Sequence, residues 1–530
     1  MIRFLPLGLA ILLSGASVAL WQVSRGFMAL TVLLVALCVV GLFDMIQTRH
    51  TLWRVFPILG RLRWVGEALR PFFRSYFVES ETEGRPFNHE ERAMVYRRAK
   101  NVSSVEPFGS HLDIGRPPYE WLAHSMSAHH PEETDPRVMV GSPGTAKPYS
   151  ASVFNISAMS FGSLGAKAIE SLNRGAAKGG FYHDTGEGGI SRYHKIGGGD
   201  LVWELGSGYF GCRNTDGSFD PVQFAERASD DQVKMIELKL SQGAKPGHGG
   251  VLPGEKVTPE IAEARGIKVG ETCLSPPYHS AFSTPVELME FVAELRELAG
   301  GKPVGIKFCV GQPHEVLALC KAMLETGIRT DFMVVDGAEG GTGAAPAEFL
   351  DYVGTPLRQG LVLTRNALVG TDLKKDVRIA VAGKQISAFA IASSMALGAD
   401  WVNTARGFMF SLGCIQSLHC HTNTCPTGIA TSDPGRQSGL HIPDKAERVY
   451  HFHKNTVKAL MEVVGAAGCN HPSELTPRHI MHRVTPDETL TADLAYQFVR
   501  PGQLLSAAET TPIGYFWQQA QSSSFERRTG

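Results

Sequence analysis

FMVVDGAEGGTG, residues 332–343, is the stretch on which the reading of the fold turns. An apolar, β-prone run meets Asp336 and then a loop with glycine at 337, 340, 341 and 343. A short buried strand opening into a backbone-rich ligand loop has this form. The same form recurs on both sides. VGIKFCVG (304–311) precedes it, and VRIAVAG (377–383) and DWVNTARG (400–407) follow. Between them lie helical segments, HEVLALCKAMLETG (314–327), stopped by Gly327, and AFAIASSMALG (388–398). Further upstream, TPVELMEFVAELRELAG (284–300) sets Leu288, Phe291, Val292, Leu295 and Leu298 at helical spacing.

Working outward to residue 150 adds four more strand candidates. They are FNISAMSFG (154–162), FYHDTGEGG (181–189), VKMIELKLSQGAKPGHGG (233–250) and TCLSPP (272–277). GAKAIESLNRGAAKGG (165–180) and TPEIAEARG (258–266) read as helices between them. Strand–helix alternation implies parallel strands. Eight units over about 260 residues predict an α/β chain folded as a (β/α)8 TIM barrel. An open doubly wound sheet is the alternative, because periodicity cannot close a barrel. In either fold the polar, glycine-rich strand tails mark the active-site end.

GSGYFG (206–211) matches the G-x-G-x-x-G pattern. The dinucleotide fingerprint needs a strand before it and a helix after it. No convincing strand precedes it here, and CRNTDGSFDP after it reads as loop. A glycine-rich active-site loop is the better reading.

The 530 residues exceed one ordinary domain, and a net charge of −1 gives no reason to expect a nucleic-acid partner. The nine cysteines are scattered except for GCIQSLHCHTNTCP (413–426), which holds Cys414, Cys420 and Cys425. Scattered thiols argue against a disulfide framework and for a reducing compartment with one metal or cofactor site. Three thiolates are one short of a structural zinc site or a four-iron cluster. An incomplete zinc site helped by His419 or His421 stays open.

Two uncharged apolar runs, 7–23 and 27–43, open the chain. They predict a transmembrane helical hairpin over 1–48. The alternative is a secretory signal peptide, which the second run does not suit. Arg49, Arg54, Arg61 and Arg63 follow closely, so the flank and the body are expected in the cytoplasm. The predicted location is the inner (cytoplasmic) membrane, crossed twice. TLWRVFPILGRLRWVGEALRPFFRSYF (51–77) reads either as a surface-lying amphipathic segment or as a packed helix pair broken at Pro57 and Pro71. The expected organisation continues as a helical and loop extension (49–145), the barrel with its cysteine motif (146–440) and a helical C-terminal extension (441–530).

Several polar residues sit where chemistry belongs. Lys307 lies inside an apolar strand, where it needs an anion, such as the charge near N1 of a reduced flavin. Its alternative is a snorkelling lysine at a strand end. Gln242 and Lys245, in SQGAKPG, project from a strand end and could meet a flavin edge and a substrate carboxylate. Glu187 in TGEGG is either a hinge-loop carboxylate or an acid/base. EGGTGAAP (339–346), VAGK (381–384) and NTARG (403–407) are either tight turns or, taken together, a phosphate site.

NISAMSFGSLG, HDTGEGG, KLSQGAKPGHGG, LPGEKV, CLSPP, DGAEGGTGAAP and GCIQSLHCHTNTCPTGIAT occur in that order. Together they resemble the FMN-binding synthase domain of glutamate synthase, over roughly residues 145–440. The resemblance implies FMN and a [3Fe-4S] cluster, with Cys414, Cys420 and Cys425 as the three cluster ligands. Ala158, Met159 and Ser160 match the family's first-strand flavin contacts. Gln242 and Lys307 match its flavin-edge residues. Gly340, Gly341, Gly383 and the Thr404–Ala405–Arg406 turn match its glycine and phosphate loops. Lys245 and Glu187 match residues near the 2-oxoglutarate site. VAGK departs from the family's D-G-G, and His248 stands where full-length synthases carry a glutamate. Those departures leave the exact 2-oxo acid open.

The sequence begins MIRF and is expected to lack the family's amidotransferase domain and a nicotinamide domain. The resemblance therefore implies an oxidoreductase that reduces an imine of 2-oxoglutarate, or a related 2-oxo acid, and an amine or ammonia. An electron donor such as ferredoxin is the expected partner. The alternatives are an FMN enzyme for a 2-hydroxy acid or N-substituted amino acid, with His183 the one near candidate for a base, and a non-catalytic membrane electron relay.

Overall fold

The computed structural model describes residues 2–21, 24–103 and 105–528. It divides into two compact units, residues 1–89 and 90–530.

In the first unit, helices Leu5–Ala19 and Arg25–Ile46 pack side by side. Ser17 Oγ lies 2.6 Å from Thr31 Oγ1, and the Trp21 indole N–H donates to the same hydroxyl at 2.8 Å. Gly41 of the second helix lies against the Leu7 side chain, where a Cβ would come within 2.6 Å. The second helix has 22 residues and is long and apolar enough to cross a membrane. At 1.5 Å per residue it spans about 33 Å, against about 30 Å of hydrocarbon. The first has 15 residues and falls short of that length. The sequence alone predicted two spans; one helix meets the length.

The second unit is built on a closed barrel of eight parallel strands. They are β1 (Phe154–Ile156), β2 (His183–Asp184), β3 (Leu201–Leu205) and β4 (Val233–Lys239). Then follow β5 (Val304–Phe308), β6 (Phe332–Asp336), β7 (Arg378–Ala382) and β8 (Trp401–Thr404). β8 returns to pair with β1, Val402 opposite Phe154, which closes the ring.

Two expectations are corrected here. TCLSPP is not a barrel strand. Cys273–Leu274 pairs antiparallel with Val251–Leu252 in a hairpin outside the barrel. The third barrel strand is LVWEL, and it runs directly into GSGYFG, so a strand does precede that loop. No helix follows until Pro221, and the loop reading of GSGYFG stands.

The helices form where local signals agree. Pro285–Leu298 starts at a capping box of Thr284 and Glu287 with proline in its first turn. Pro313–Thr326 ends on Gly327 at φ 72°, a left-handed conformation that glycine adopts without strain. The C-terminal helix Ile442–Ala466 packs along helix Ala166–Gly179. There Gly175 is needed, because a Cβ would lie 2.4 Å from Val449. The extensions also contain strands: Tyr119–Leu122 pairs with Ile480–Arg483, which pairs with Thr489–Thr491.

Candidate active site

Alternation along the strands puts charged side chains inside the barrel. Asp184 of β2, Glu204 of β3, Glu237 and Lys239 of β4 and Lys307 of β5 are all buried. Lys307 Nζ donates to Glu204 Oε2 at 2.6 Å and lies 3.4 Å from Glu237 Oε1. Lys239 Nζ lies 3.5 Å from Glu204 Oε1 and 2.9 Å from Glu187 Oε2. Burial, with the neighbouring Glu204 charge, pushes the Asp184 carboxyl up to about 7, and burial raises Glu237 well above the carboxylate range. Burial pulls the Lys307 ammonium down, but the charges of Glu204, Glu237 and Asp184 outweigh it and hold the group well above its usual value.

Toward the C-terminal mouth the loops converge on Glu187. Gly206, from the loop after β3, and Gly250, from the loop after β4, both lie against it. A Cβ would meet the Glu187 carboxylate at 2.8 Å and 2.0 Å respectively. The first glycine of GSGYFG thus makes room for a carboxylate rather than a pyrophosphate. Ser275 of the outer hairpin donates to Glu187 Oε2 at 3.4 Å. Burial opposes ionisation of Glu187, yet Lys239, Arg265 and Lys245 hold its carboxyl down at about 2. The mouth therefore gathers three cationic side chains around one carboxylate. Gln242 joins them, its Oε1 accepting from Lys239 Nζ at 3.1 Å. Lys245 reaches the Ala344 carbonyl at 3.0 Å, which ties the loop after β4 to the glycine loop after β6.

Arg265 and Lys239 were not singled out from the sequence. Arg265 lies on helix Pro259–Arg265 and donates from Nη2 to Ser160 Oγ and the Phe161 carbonyl, both at 3.2 Å. It thereby links the first-strand loop, with Ala158, Met159 and Ser160, to the Glu187 group. Lys239 stood in plain view in KLSQ, but its meaning depends on β2 and β3.

The phosphate-loop residues come together on the other side of the mouth. Arg406 lies directly over Gly341, where any Cβ would overlap its guanidinium. Gly383 has φ +133° and lies next to Gly337, whose N–H bonds the Ala382 carbonyl at 2.8 Å. Thr404, at the tip of β8, accepts from the Ser157 N–H at 3.1 Å. Side-chain-free backbone beside a half-buried guanidinium suits a phosphate group, so the residues present fit the phosphate end of FMN.

His183 points the other way. Its ring lies 5.2 Å from that of His194, outside the barrel interior, and both are fully buried. His279 is near the mouth, but its Nε2 lies 2.7 Å from the Lys239 carbonyl and its Nδ1 3.1 Å from Tyr209 Oη. Burial takes His279 down to about 4. Neither ring offers a free base at the mouth.

Cys414, Cys420 and Cys425 follow the helix Arg406–Leu412 that continues from β8. Burial pushes the Cys414 thiol up to about 12 and also raises Cys420. Cys425 differs. Burial opposes its ionisation, but hydrogen bonds from Thr427 and from the backbone of Ala430, Thr427 and Ile429 hold it below the ordinary thiol value. The Cys414 carbonyl accepts from Tyr96 Oη at 2.5 Å. Among the described residues, these thiols are not drawn within 4.8 Å of one another as the Asp184–Glu204–Glu237 oxygens are. Backbone donors at Cys425 and the cations Arg406 and Lys256 lie beside the three thiols.

The conserved region in glutamate synthase matches residues 134–470 of this sequence. This chain belongs to the glutamate synthase family. The glutamate synthase large subunit-like protein YerD of Bacillus subtilis is 36% identical over 494 residues, covering 86% of this chain and 94% of that protein. The archaeal-type glutamate synthase [NADPH] of Thermotoga neapolitana is 34% identical over 315 residues, 59% of each chain. The archaeal glutamate synthase [NADPH] of Archaeoglobus fulgidus is 34% identical over 316 residues, covering 59% of this chain and 58% of that protein. The chain thus spans nearly all of the Bacillus relative but about three fifths of the archaeal-type ones. With the barrel and its mouth, the family makes the protein a glutamate-synthase-like, FMN-dependent oxidoreductase.

Proposed function

We propose that the protein reduces an imine of 2-oxoglutarate, or a closely related 2-oxo acid, and ammonia or an amine to the amino acid. The observation that carries this reading is the cationic trio at the barrel mouth, Lys239, Lys245 and Arg265, set around the ionised Glu187. A dicarboxylate substrate needs two anion-binding groups, and an imine nitrogen needs a nearby anion. Lys239, Lys245 and Arg265, with Gln242, hold the carboxylates. Glu187 orients the cationic nitrogen. Lys307 keeps the interior carboxylates compensated below. FMN held by the loops after β1, β6, β7 and β8, and a [3Fe-4S] cluster held by Cys414, Cys420 and Cys425, supply hydride delivery and one-electron transfer when bound. Per turnover, the 2-oxo acid, ammonia, two electrons and two protons give the amino acid and water. The electrons come from a donor such as ferredoxin. The N-terminal helices, taken as a two-pass anchor, hold the body on the cytoplasmic side of the inner membrane.

The test is anaerobic. Dithionite-reduced protein should regain its flavin absorbance on addition of 2-oxoglutarate with ammonium, and glutamate should form in equal amount. A flavin that stays reduced with every 2-oxo acid and amine supplied overturns the reading. The alternative of 2-hydroxy-acid oxidation lacks a histidine base at the mouth among these two, because His183 packs against His194 and both nitrogens of His279 are engaged.

A further inference from the structure

LPGEKV (252–257) is a motif the mouth does not use. Its lysine, Lys256, is 2% exposed and closes the short helical turn Gly254–Lys256 in the insertion after β4. The ammonium makes three hydrogen bonds, all to backbone carbonyls: Ser163 at 2.8 Å, Cys420 at 3.2 Å and Ala430 at 3.3 Å. Those three bonds use every N–H of the group.

The three carbonyls belong to two loops. Ser163 lies in the loop after β1, where its N–H and hydroxyl both bond the Ser160 carbonyl at 3.1 Å and 2.6 Å. Ser160 is one of the residues matched to flavin contacts. Cys420 and Ala430 bracket Cys425 in the cysteine loop, and the Ala430 N–H is among the donors to the Cys425 sulfur. One buried ammonium therefore fastens the flavin-side loop to the cysteine loop. Among the described residues no carboxylate pairs with it. Ionised sulfurs at Cys420 and Cys425 would favour its ammonium form. An unpaired buried cation is expensive, and the negative charge these cysteines would carry as cluster ligands is its complement.

We infer that Lys256 is a positioning residue for electron transfer, locking the cysteine loop to the flavin loop and supplying the fixed positive charge that sets the reduction potential of the group the cysteines hold. This rests on the cluster reading above. A thiolate-ligated cluster gains one negative charge on reduction. A fixed cation nearby stabilises the reduced form more than the oxidised one and raises the potential. Arg406 acts on Cys420 and Cys414, and Lys256 acts on Cys420 and Cys425, so the two cations share Cys420 and differ in the second thiol each faces.

The experiment is a redox titration of the detergent-solubilised, full-length protein. Electron paramagnetic resonance follows the cluster and absorbance follows the flavin. Lys256→Met should lower the cluster midpoint clearly and move the flavin midpoint less. Lys256→Arg, which keeps the charge, should stay near the parent value. An unchanged cluster midpoint in Lys256→Met overturns the inference. If Lys256→Met holds no cluster, Lys256→Arg decides: a parent-like midpoint supports the charged strut, and loss of the cluster there too reduces the lysine to packing and overturns it. A parent protein with flavin and no cluster signal overturns the cluster reading itself, which separates that failure from this one.

Discussion

In the first unit, Leu12, Val32, Ile46 and Phe77 are 71%, 66%, 76% and 80% exposed. In the barrel, Asp184, Glu204, Glu237, Lys239 and Lys307 are 1%, 2%, 1%, 7% and 3% exposed. One region turns its apolar groups outward and the other turns its charges inward. Each inverts the usual rule for a water-soluble chain, and each needs a different complement. One of the outward apolar helices, Arg25–Ile46, is long enough to cross a membrane. Inward ionisable groups need one another or a retained proton. The first inversion suits the proposed membrane anchor, and the second bears on what the barrel does.

The comparison can be broken in four places, taken from the largest expected effect to the smallest. Deleting residues 2–48 should move the protein wholly from the membrane pellet to the soluble fraction with its flavin retained. Persistence in a carbonate-washed pellet would remove the anchor from the comparison. Lys307→Met strands Glu204 and Glu237 without their cation and should cost about 3–5 kcal/mol of stability, read by denaturant unfolding in detergent. A loss under about 1 kcal/mol would mean that the interior charges are not mutually dependent. Lys239→Met removes one of the cations at the mouth. It should raise KM for the 2-oxo acid about 10- to 100-fold, worth roughly 1.4–2.7 kcal/mol, in a steady-state assay. An unchanged KM would detach Lys239 from substrate.

The smallest effect is a slope with pH. Asp184 is held up to about 7 by burial, above its ordinary value of 3.8. The native state therefore keeps a proton that the unfolded chain has lost between about pH 4 and 7. Its contribution to stability is complete below pH 4 and falls as pH rises through 7, by at most about 1.4 kcal/mol per pH unit. Asp184→Asn should flatten that segment of the stability profile. An unchanged slope would place the proton elsewhere. Glu187, held down at about 2, runs the opposite way: its contribution is present above about pH 4.5 and is lost as pH falls toward 2.

Much of this was legible in the sequence, and the misses have a physical cause. Helix Pro285–Leu298 could be read because its cap, its proline and its apolar spacing all agree. The cysteine loop and glycine loops could be read because their chemistry is local in the chain. β3 was missed because LVWEL is short, lies between glycine-rich stretches and carries Glu204 toward the interior, where a strand of this length is expected to be apolar. TCLSPP read as buried, yet it forms one side of a hairpin, with Leu274 exposed. Arg265 and Lys239 gave no local signal, because their role appears only when β1, β2, β3 and β4 stand in order around the barrel.

The ionic interior also limits how the sequence can change. Glu204, Glu237, Lys239 and Lys307 touch one another across three strands. A change at Lys307 alone passes through a form with stranded carboxylates, and a change at Glu204 alone leaves two ammonium groups short of a partner. The substitutions are non-additive by construction, and paired changes such as Lys307→Met with Glu204→Gln should cost less than the sum of the single ones. Variation at these positions therefore proceeds in blocks. A library that varies them one at a time will report every position as essential, although the constraint belongs to the set.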